Sequence, residues 1–599
     1  MAIRWRFGII AGVFLAIFSL YPQMKMLYLR GDAWNGHYAY NDIDEVAYAA
    51  YVRALIDGRP RKNDPYTGRD DSIESTQPES LFSIQFAAPY TIAMPARLLG
   101  IGTPWAMTLG GAFAAFFAAL LLFWLIRMIT GDDIVAMAGS LVTLAGGAIF
   151  AGEGAIGEIT GWSYAYPYFP GFRRYIPAMA FPAFFLFLGL VWKLINQRSE
   201  RSLSPLLLVS LSSAAFAYTA FSYFYVWTTA IAWLGCLGLC WLVVRPNGWF
   251  ADIKRLVIVG IGCLIALAPY AHLLSQRSHT MDDVQLLVYT RQPDLFRVPE
   301  IIGYLTLAMI AIAVATKMLE LCDRSTIFAI SLALVPLVVF NQQIITGRSL
   351  QPIHYQVFIG NYVAGAALLV TFGLLWTKAK DVKPAARNAV FATLTVIAIA
   401  WGFVECHYTV KILDDVNVAR DEALPVARKL DEIAKQTGNW RNENVMHFGI
   451  AEGDDLPTLA PQPVLWARHQ HVFAGVTWQE NKERYYQYLY YLGVSPNSLA
   501  ANMKNGDDFV SMIALFGWGR HSDRLNSEYK PLTFREIDAE ADKFARYIER
   551  FDPRTNGIPL TYAIAETDGF TNFDAIDRWY VRDKGEAFGR YTLYRLNLK

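Results

Sequence analysis

The sequence predicts a polytopic α-helical membrane protein of about eleven transmembrane helices, followed by a C-terminal extracytoplasmic α/β domain. Three observations predict it. Of 599 residues, 54% are hydrophobic and only 18% are charged, against about a quarter charged in ordinary soluble chains. Apolar runs of span length recur through residues 1–406 and stop there. Basic residues gather in alternate loops between those runs. Other classes fall away. The 17 Trp, 32 Tyr and 37 Phe exclude disorder. A net charge of +1 gives no nucleic-acid partner a foothold. The five Cys stand in or beside apolar runs and indicate no disulfide framework.

The first span opens the chain. Residues 7–24 carry no charge, Arg4 and Arg6 stand behind them, and the apolar stretch runs on to Leu29 with only Lys25 inside it. A cleaved signal peptide would have a shorter apolar core and a small-residue cleavage site, so an uncleaved span is expected. Further runs follow at about 104–126, 134–152, 176–192, 256–274, 301–316, 326–345, 357–377 and 388–405. Each is close to the roughly 20 residues that carry a helix across a ~30 Å hydrocarbon core. Residues 205–244 contain no charged side chain. That run is too long for one span, and dividing it near 218–225 gives two.

Loop charge then orients the chain. With the N-terminus cytoplasmic, Arg4, Arg6, Arg127, Lys193, Arg198, Arg201, Arg245, Lys254, Arg255, Lys317, Arg324, Lys378, Lys380, Lys383 and Arg387 fall inside. The short outer loops hold Arg173, Arg174, Arg277, Arg291, Arg297 and Arg348. Fifteen against six is the basic excess of a cytoplasmic face. The expected placement is multi-pass in the plasma (inner) membrane. Residues 1–406 form the transmembrane domain, with a large extracytoplasmic loop at 30–97, and residues 407–599 an extracytoplasmic soluble α/β domain. In that tail, residues 444–451, 463–468, 560–565 and 591–596 read as strands, and 481–492 and 533–551 have helical periodicity. Gly453-Asp454-Asp455 reads as the cap of a short helix. No internal repeat and no glycine-rich phosphate loop is present.

The most informative segment is Asn41-Asp42-Ile43-Asp44-Glu45-Val46-Ala47-Tyr48, about a dozen residues beyond the first span. A helix starting near Asp42 would project carboxylates from its first turn, where the macrodipole favours them. Three carboxylates in four positions suit a general base or a metal ion. Plain helix capping by Asp42 or Asp44 explains the same pattern equally well.

A first span, a large outer loop opening with an Asp-Glu pair and Tyr48, many further spans and an outer C-terminal domain resemble the GT-C glycosyltransferase superfamily. The resemblance implies transfer of a sugar (by a hexosyl- or pentosyltransferase) from a polyprenyl-phosphate or polyprenyl-diphosphate donor to a glycan, lipid or protein acceptor on the outer face of the membrane. It implies that Asp44 or Glu45 is the base that deprotonates the acceptor hydroxyl, with Asp42 less favoured and left as a substrate contact. No Trp-Trp-Asp motif is present, which speaks against transfer to protein asparagine. No cofactor is indicated, and a divalent cation is left open. The partners expected are the lipid-linked donor, the acceptor and membrane lipids.

A donor phosphate needs cations where the bond breaks, and arginine supplies bidentate contacts. Two outer loops offer them. The first contains Glu158, the aromatics Trp162, Tyr164, Tyr166, Tyr168 and Phe169, and Arg173-Arg174. An interfacial aromatic belt with snorkelling arginines accounts for it as well. The second, polar and wedged between long apolar spans, carries Arg348 and His354. Arg348 stands on the outer side, against the positive-inside bias, and is paired here with His354 as a phosphate clamp; headgroup contact is the plainer reading. His469 and His471 have metal-like spacing without an evident third ligand, which favours a structural role. Cys236 and Cys240 read as small packing residues. The alternative function is a transporter or flippase, or a non-catalytic subunit for polysaccharide or lipid export. Transport would call for ionisable groups at mid-span and two related halves with paired broken helices, and the sequence has neither.

Overall fold

A computed structural model describes residues 3–161, 176–196, 204–284, 287–378, 383–520 and 531–599. Arg173, Arg174, Arg198, Arg201, Lys380 and the aromatics between 162 and 169 lie outside the described residues. The chain divides into two compact units. One comprises residues 1–25, 108–272 and 289–412; the other comprises 26–107, 273–288 and 413–599.

Every predicted apolar run is helical, and among the described residues eight helices are long and apolar enough to cross a membrane. The sequence predicts about eleven. The other three are the shorter helices Asp133–Ala145, Pro205–Ala220 and Arg324–Val339, and local chemistry sets their ends. Asp132, Ser204 and Asp323 each cap a helix start with a side-chain oxygen. Gly146 divides the run at 134–152 into two helices. The 205–244 run breaks between Ala220 and Phe224, inside the interval the sequence indicates. Small residues bring helices together. A Cβ on Gly303 would meet the Ala333 carbonyl oxygen at 2.6 Å, so helices Val298–Ala315 and Arg324–Val339 approach backbone to backbone. The buried Asp252 carboxylate accepts from Arg324 at 2.6 Å and from the Trp241 indole at 3.3 Å. Cys236, Cys240, Cys263 and Cys322 are free, and the Cys406 thiol donates to the Phe18 carbonyl oxygen at 3.9 Å.

The second unit joins the 26–107 loop to the tail. Its main helices are α1 (Glu45–Ile56), α2 (Asp414–Thr437), α3 (Ile450–Asp455), α4 (Trp478–Tyr491) and α5 (Phe534–Arg550). Its strands are β1 (Val445–His447), β2 (Tyr562–Glu566), β3 (Tyr580–Arg582), β4 (Glu586–Phe588) and β5 (Tyr591–Leu598). β1 pairs parallel with β2, β2 pairs antiparallel with β5, and β5 also takes β3 and β4 antiparallel. Gly589, at φ 66°, lets the chain reverse between β4 and β5. The expected strand at 463–468 reduces to a single parallel bridge between Val464 and Val445. Trp466, Tyr485, Tyr488, Tyr491, Phe544 and Tyr580 belong to the buried core of this unit.

Helix α5 shows how the sequence writes one of these elements. Thr533 accepts from the Glu536 amide while the Glu536 carboxylate accepts from the Thr533 amide, a reciprocal capping box. Ile537, Ala541 and Phe544 recur at three- and four-residue intervals and are buried. Glu540, buried on the same helix, is matched by Lys482 at 3.0 Å, Lys543 at 2.8 Å and the Tyr486 hydroxyl at 2.7 Å. Thr533→Ala is expected to destabilise this unit by about 0.5–2 kcal/mol, read as a lowered melting temperature of the purified protein. An unchanged melting temperature would remove the cap from the account.

Candidate active site

The loop reaches the site along helix α2. Arg30 pairs with Asp421 at 3.2 Å and Glu422 at 2.8 Å. The buried Asp421 carboxylate also accepts the backbone N–H groups of Asn35 and His37, each at 3.1 Å. Asn417 then receives the Tyr40 amide at 3.1 Å and donates to the Tyr40 carbonyl at 2.6 Å. These seven residues thus fix the path from the end of the first span to the acidic segment.

The three acids there have different surroundings. Asp42 is buried and its Oδ1 accepts the Asp44 amide at 2.9 Å, a side-chain turn that closes just before the helix. The helix begins at Glu45 rather than near Asp42. Glu45 is fully buried, and its carboxylate takes the Tyr38 hydroxyl at 2.6 Å and the Asn41 amide at 3.4 Å. Asp44 holds the N-cap position but makes no side-chain capping bond; its own backbone is already helical at φ −71°, ψ −16°. Its side chain is 33% exposed, and one oxygen lies 3.3 Å from His469 Nε2.

Behind Asp44 stands a buried polar layer from the tail. His469 Nδ1 lies 2.6 Å from Asp454 Oδ2, and the His469 amide donates to Asp454 Oδ1 at 3.0 Å. Next along the chain, Asp455 receives His37 Nε2 at 2.5 Å, the Tyr40 hydroxyl at 2.7 Å and the Thr458 hydroxyl at 3.2 Å. Asp454 and Asp455 end helix α3 instead of capping its start, because both side chains are turned to histidines. Burial alone would raise both carboxyls; the charge and hydrogen bond of His469 for one, and of His37 with Arg420 for the other, hold them below the ordinary range. Burial pulls His469 down, yet Asp454 and Asp44 outweigh it and lift the imidazole to about 9. His471, also buried and beside the His469 charge, is pushed down to about 3.

Two guanidinium groups complete the layer. Arg420, 2% exposed, lies 4.8 Å over the Tyr40 ring, and its Nε and Nη1 have no hydrogen-bond partner. Arg468 lies 5.0 Å over the Phe509 ring, and its buried Nε is likewise unpartnered. Burial lowers Arg468, while Asp454, Asp44 and Asp42 counter that. Among the described residues no three His, Cys, Asp or Glu side chains are grouped to hold a metal ion.

The remaining sequence candidates lie in the first unit. Glu158 pairs with Lys411 at 2.5 Å. His354 packs edge-on against Tyr225 and Phe358 at 4.9 and 5.1 Å. Arg348 is exposed beside Thr346, whose hydroxyl accepts the Arg348 amide at 3.3 Å. Sequence reasoning did not select Asp454, Asp455, His37, Arg420 or Arg468. The one signal for them was the polar string Arg468-His469-Gln470-His471 between apolar flanks.

Two crystal structures of ArnT from Cupriavidus metallidurans are similar to this chain. The one bound to undecaprenyl phosphate is 11% identical, with a TM-score of 0.46 over 96% of this chain and 97% of that one. The apo form is 14% identical, with a TM-score of 0.43 over 82% of this chain and 94% of that one. No family model and no curated protein matches the sequence.

Proposed function

We propose that this protein is a GT-C-type integral membrane glycosyltransferase. It moves a hexosyl or pentosyl group from a polyprenyl-phosphate or polyprenyl-diphosphate donor to a glycan, lipid or protein hydroxyl at the outer face of the plasma membrane. The N-terminus is cytoplasmic and the tail extracytoplasmic. The observation that carries the reading is the Asp44 carboxylate: partly exposed, released from capping, and set against His469 at the edge of a buried charged layer.

In this reading Asp44 takes the proton of the acceptor hydroxyl as that oxygen attacks the anomeric carbon. The bond from the anomeric carbon to the phosphate oxygen breaks, its electron pair stays on the phosphate, and the polyprenyl phosphate or diphosphate departs with inversion. A positioned base contributes about 10²–10⁴ to such a step. Negative charge growing on the leaving phosphate calls for cations; Arg348 and His354 are the groups proposed for it in the transmembrane domain, with Arg173 and Arg174. Glu45 serves the loop through Tyr38. Incubating the purified protein with polyprenyl-phosphate sugars of several kinds and following release of the carrier lipid tests the reading. Turnover with at least one donor is expected. Absence of turnover with all of them, or equal turnover when Asp44 and Glu45 are both replaced, would overturn it.

A further inference from the structure

The arrangement behind Asp44 is more specific than burial of polar groups requires. Asp454 takes both the ring Nδ1–H and the backbone N–H of His469, so one carboxylate fixes the backbone and the ring plane of the histidine together. The opposite ring nitrogen then has a set direction, and it is directed at Asp44. Side-chain exposure rises along the chain of contacts: 3% for Asp454, 7% for His469 and 33% for Asp44. The anchored end is buried and the accessible end is the acid. A helix-capping aspartate would instead be turned to its own first-turn amides, and Asp44 makes no such bond.

We propose that His469, locked by Asp454, is a positioning residue that orients the Asp44 carboxylate and supplies its counter-charge. This rests on the reading of Asp44 as the base. The need for a counter-charge is electrostatic: Asp42 and Glu45 lie two and one residues away, and neighbouring acids oppose one another's ionisation. The charged and titratable groups around the imidazole are Asp454 of α3, Asp44 at the start of α1, and Arg468 and His471 on its own segment. The two carboxylates dominate, so the ring stays cationic through neutral pH and loses its charge only as the pH rises past about 9. At 3.3 Å the Asp44 contact is longer than the 2.6 Å anchor. One nitrogen is spent on holding the ring, and the other faces Asp44 Oδ1.

Carbodiimide labelling of the full-length protein in detergent, read at Asp44 by mass spectrometry, reports this without any donor, because the reagent takes protonated carboxyls. His469→Gln keeps the size and a donor but removes the cation; it is expected to raise Asp44 labelling at pH 7 about tenfold, the effect of losing one adjacent opposite charge. His469→Arg, which keeps the cation, is expected to hold labelling near the wild-type level, and Asp454→Asn to raise it in the same direction as His469→Gln. Equal Asp44 labelling in the wild type and in His469→Gln overturns the positioning role. Should His469→Gln fail to fold, Asp454→Asn against the wild type decides it by the same reading. The donor assay separates the two ideas: turnover that survives Asp44→Asn removes the base, whatever the labelling shows. Turnover lost in Asp44→Asn with labelling unmoved by His469→Gln or Asp454→Asn removes only the positioning role.

Discussion

If Asp44 is the base proposed above, Asp44→Asn is expected to lower turnover of a polyprenyl-phosphate-linked sugar by about 10²–10⁴, the usual range for a deleted general base. The substitution is nearly isosteric and touches a side chain that caps nothing and is one-third exposed, so the melting temperature of the purified protein stays close to that of the wild type. Removing the neighbouring acid has the opposite profile. Glu45 is fully buried and holds the Tyr38 hydroxyl at 2.6 Å, and its loss is felt first in the fold of the loop. Turnover within a few-fold of the wild type in Asp44→Asn would show that the proton goes elsewhere.

Asp455→Ala destabilises the second unit by about 3–5 kcal/mol, the cost of stripping one partner from a buried charged group. The carboxylate is enclosed by His37, Tyr40 and Thr458, with the Arg420 cation nearby. Its removal takes away the acceptor that His37, Tyr40 and Thr458 share. For a unit of this size the melting temperature falls by on the order of 10 °C, measured on the purified protein in detergent. The same carboxylate predicts the acid limb of stability. Its folded-state value is depressed, so its contribution is fully present above the unfolded value of about 3.9 and is lost as the pH falls through the folded value. Asp454 acts in the same direction. The wild type therefore loses stability below about pH 4, and Asp455→Ala flattens that limb. A melting temperature that Asp455→Ala leaves unchanged, or an equally steep acid limb, would remove Asp455 from this role.

The helices were legible because their code is local. Length and absence of charge place each run, and Ala220 and Phe224 bracket the break that forty uncharged residues demanded. Three runs fall short of span length because Gly146 and side-chain caps such as Asp132 trim them. In the tail, α5 was written in full by Thr533, Glu536 and the spacing of Ile537, Ala541 and Phe544. The candidate site was legible only on one side. Asp44 could be picked from the acidic segment, but not distinguished from a helix cap; that needs its backbone angles and the amide-binding role of Asp42. His469 was visible as half of a histidine pair, and Asp454 as a cap. Their meeting with Asp44 depends on packing between the loop and the tail, which no periodicity records.

The separation between Asp44 and His469, 425 residues in sequence, has a consequence for biogenesis. At about 5–20 residues per second, synthesis of the intervening chain takes roughly 20–85 s. Through that interval the nascent protein holds the acid and lacks its imidazole. The counter-charge proposed for Asp44 therefore arrives only once the segment that carries His469 has been made.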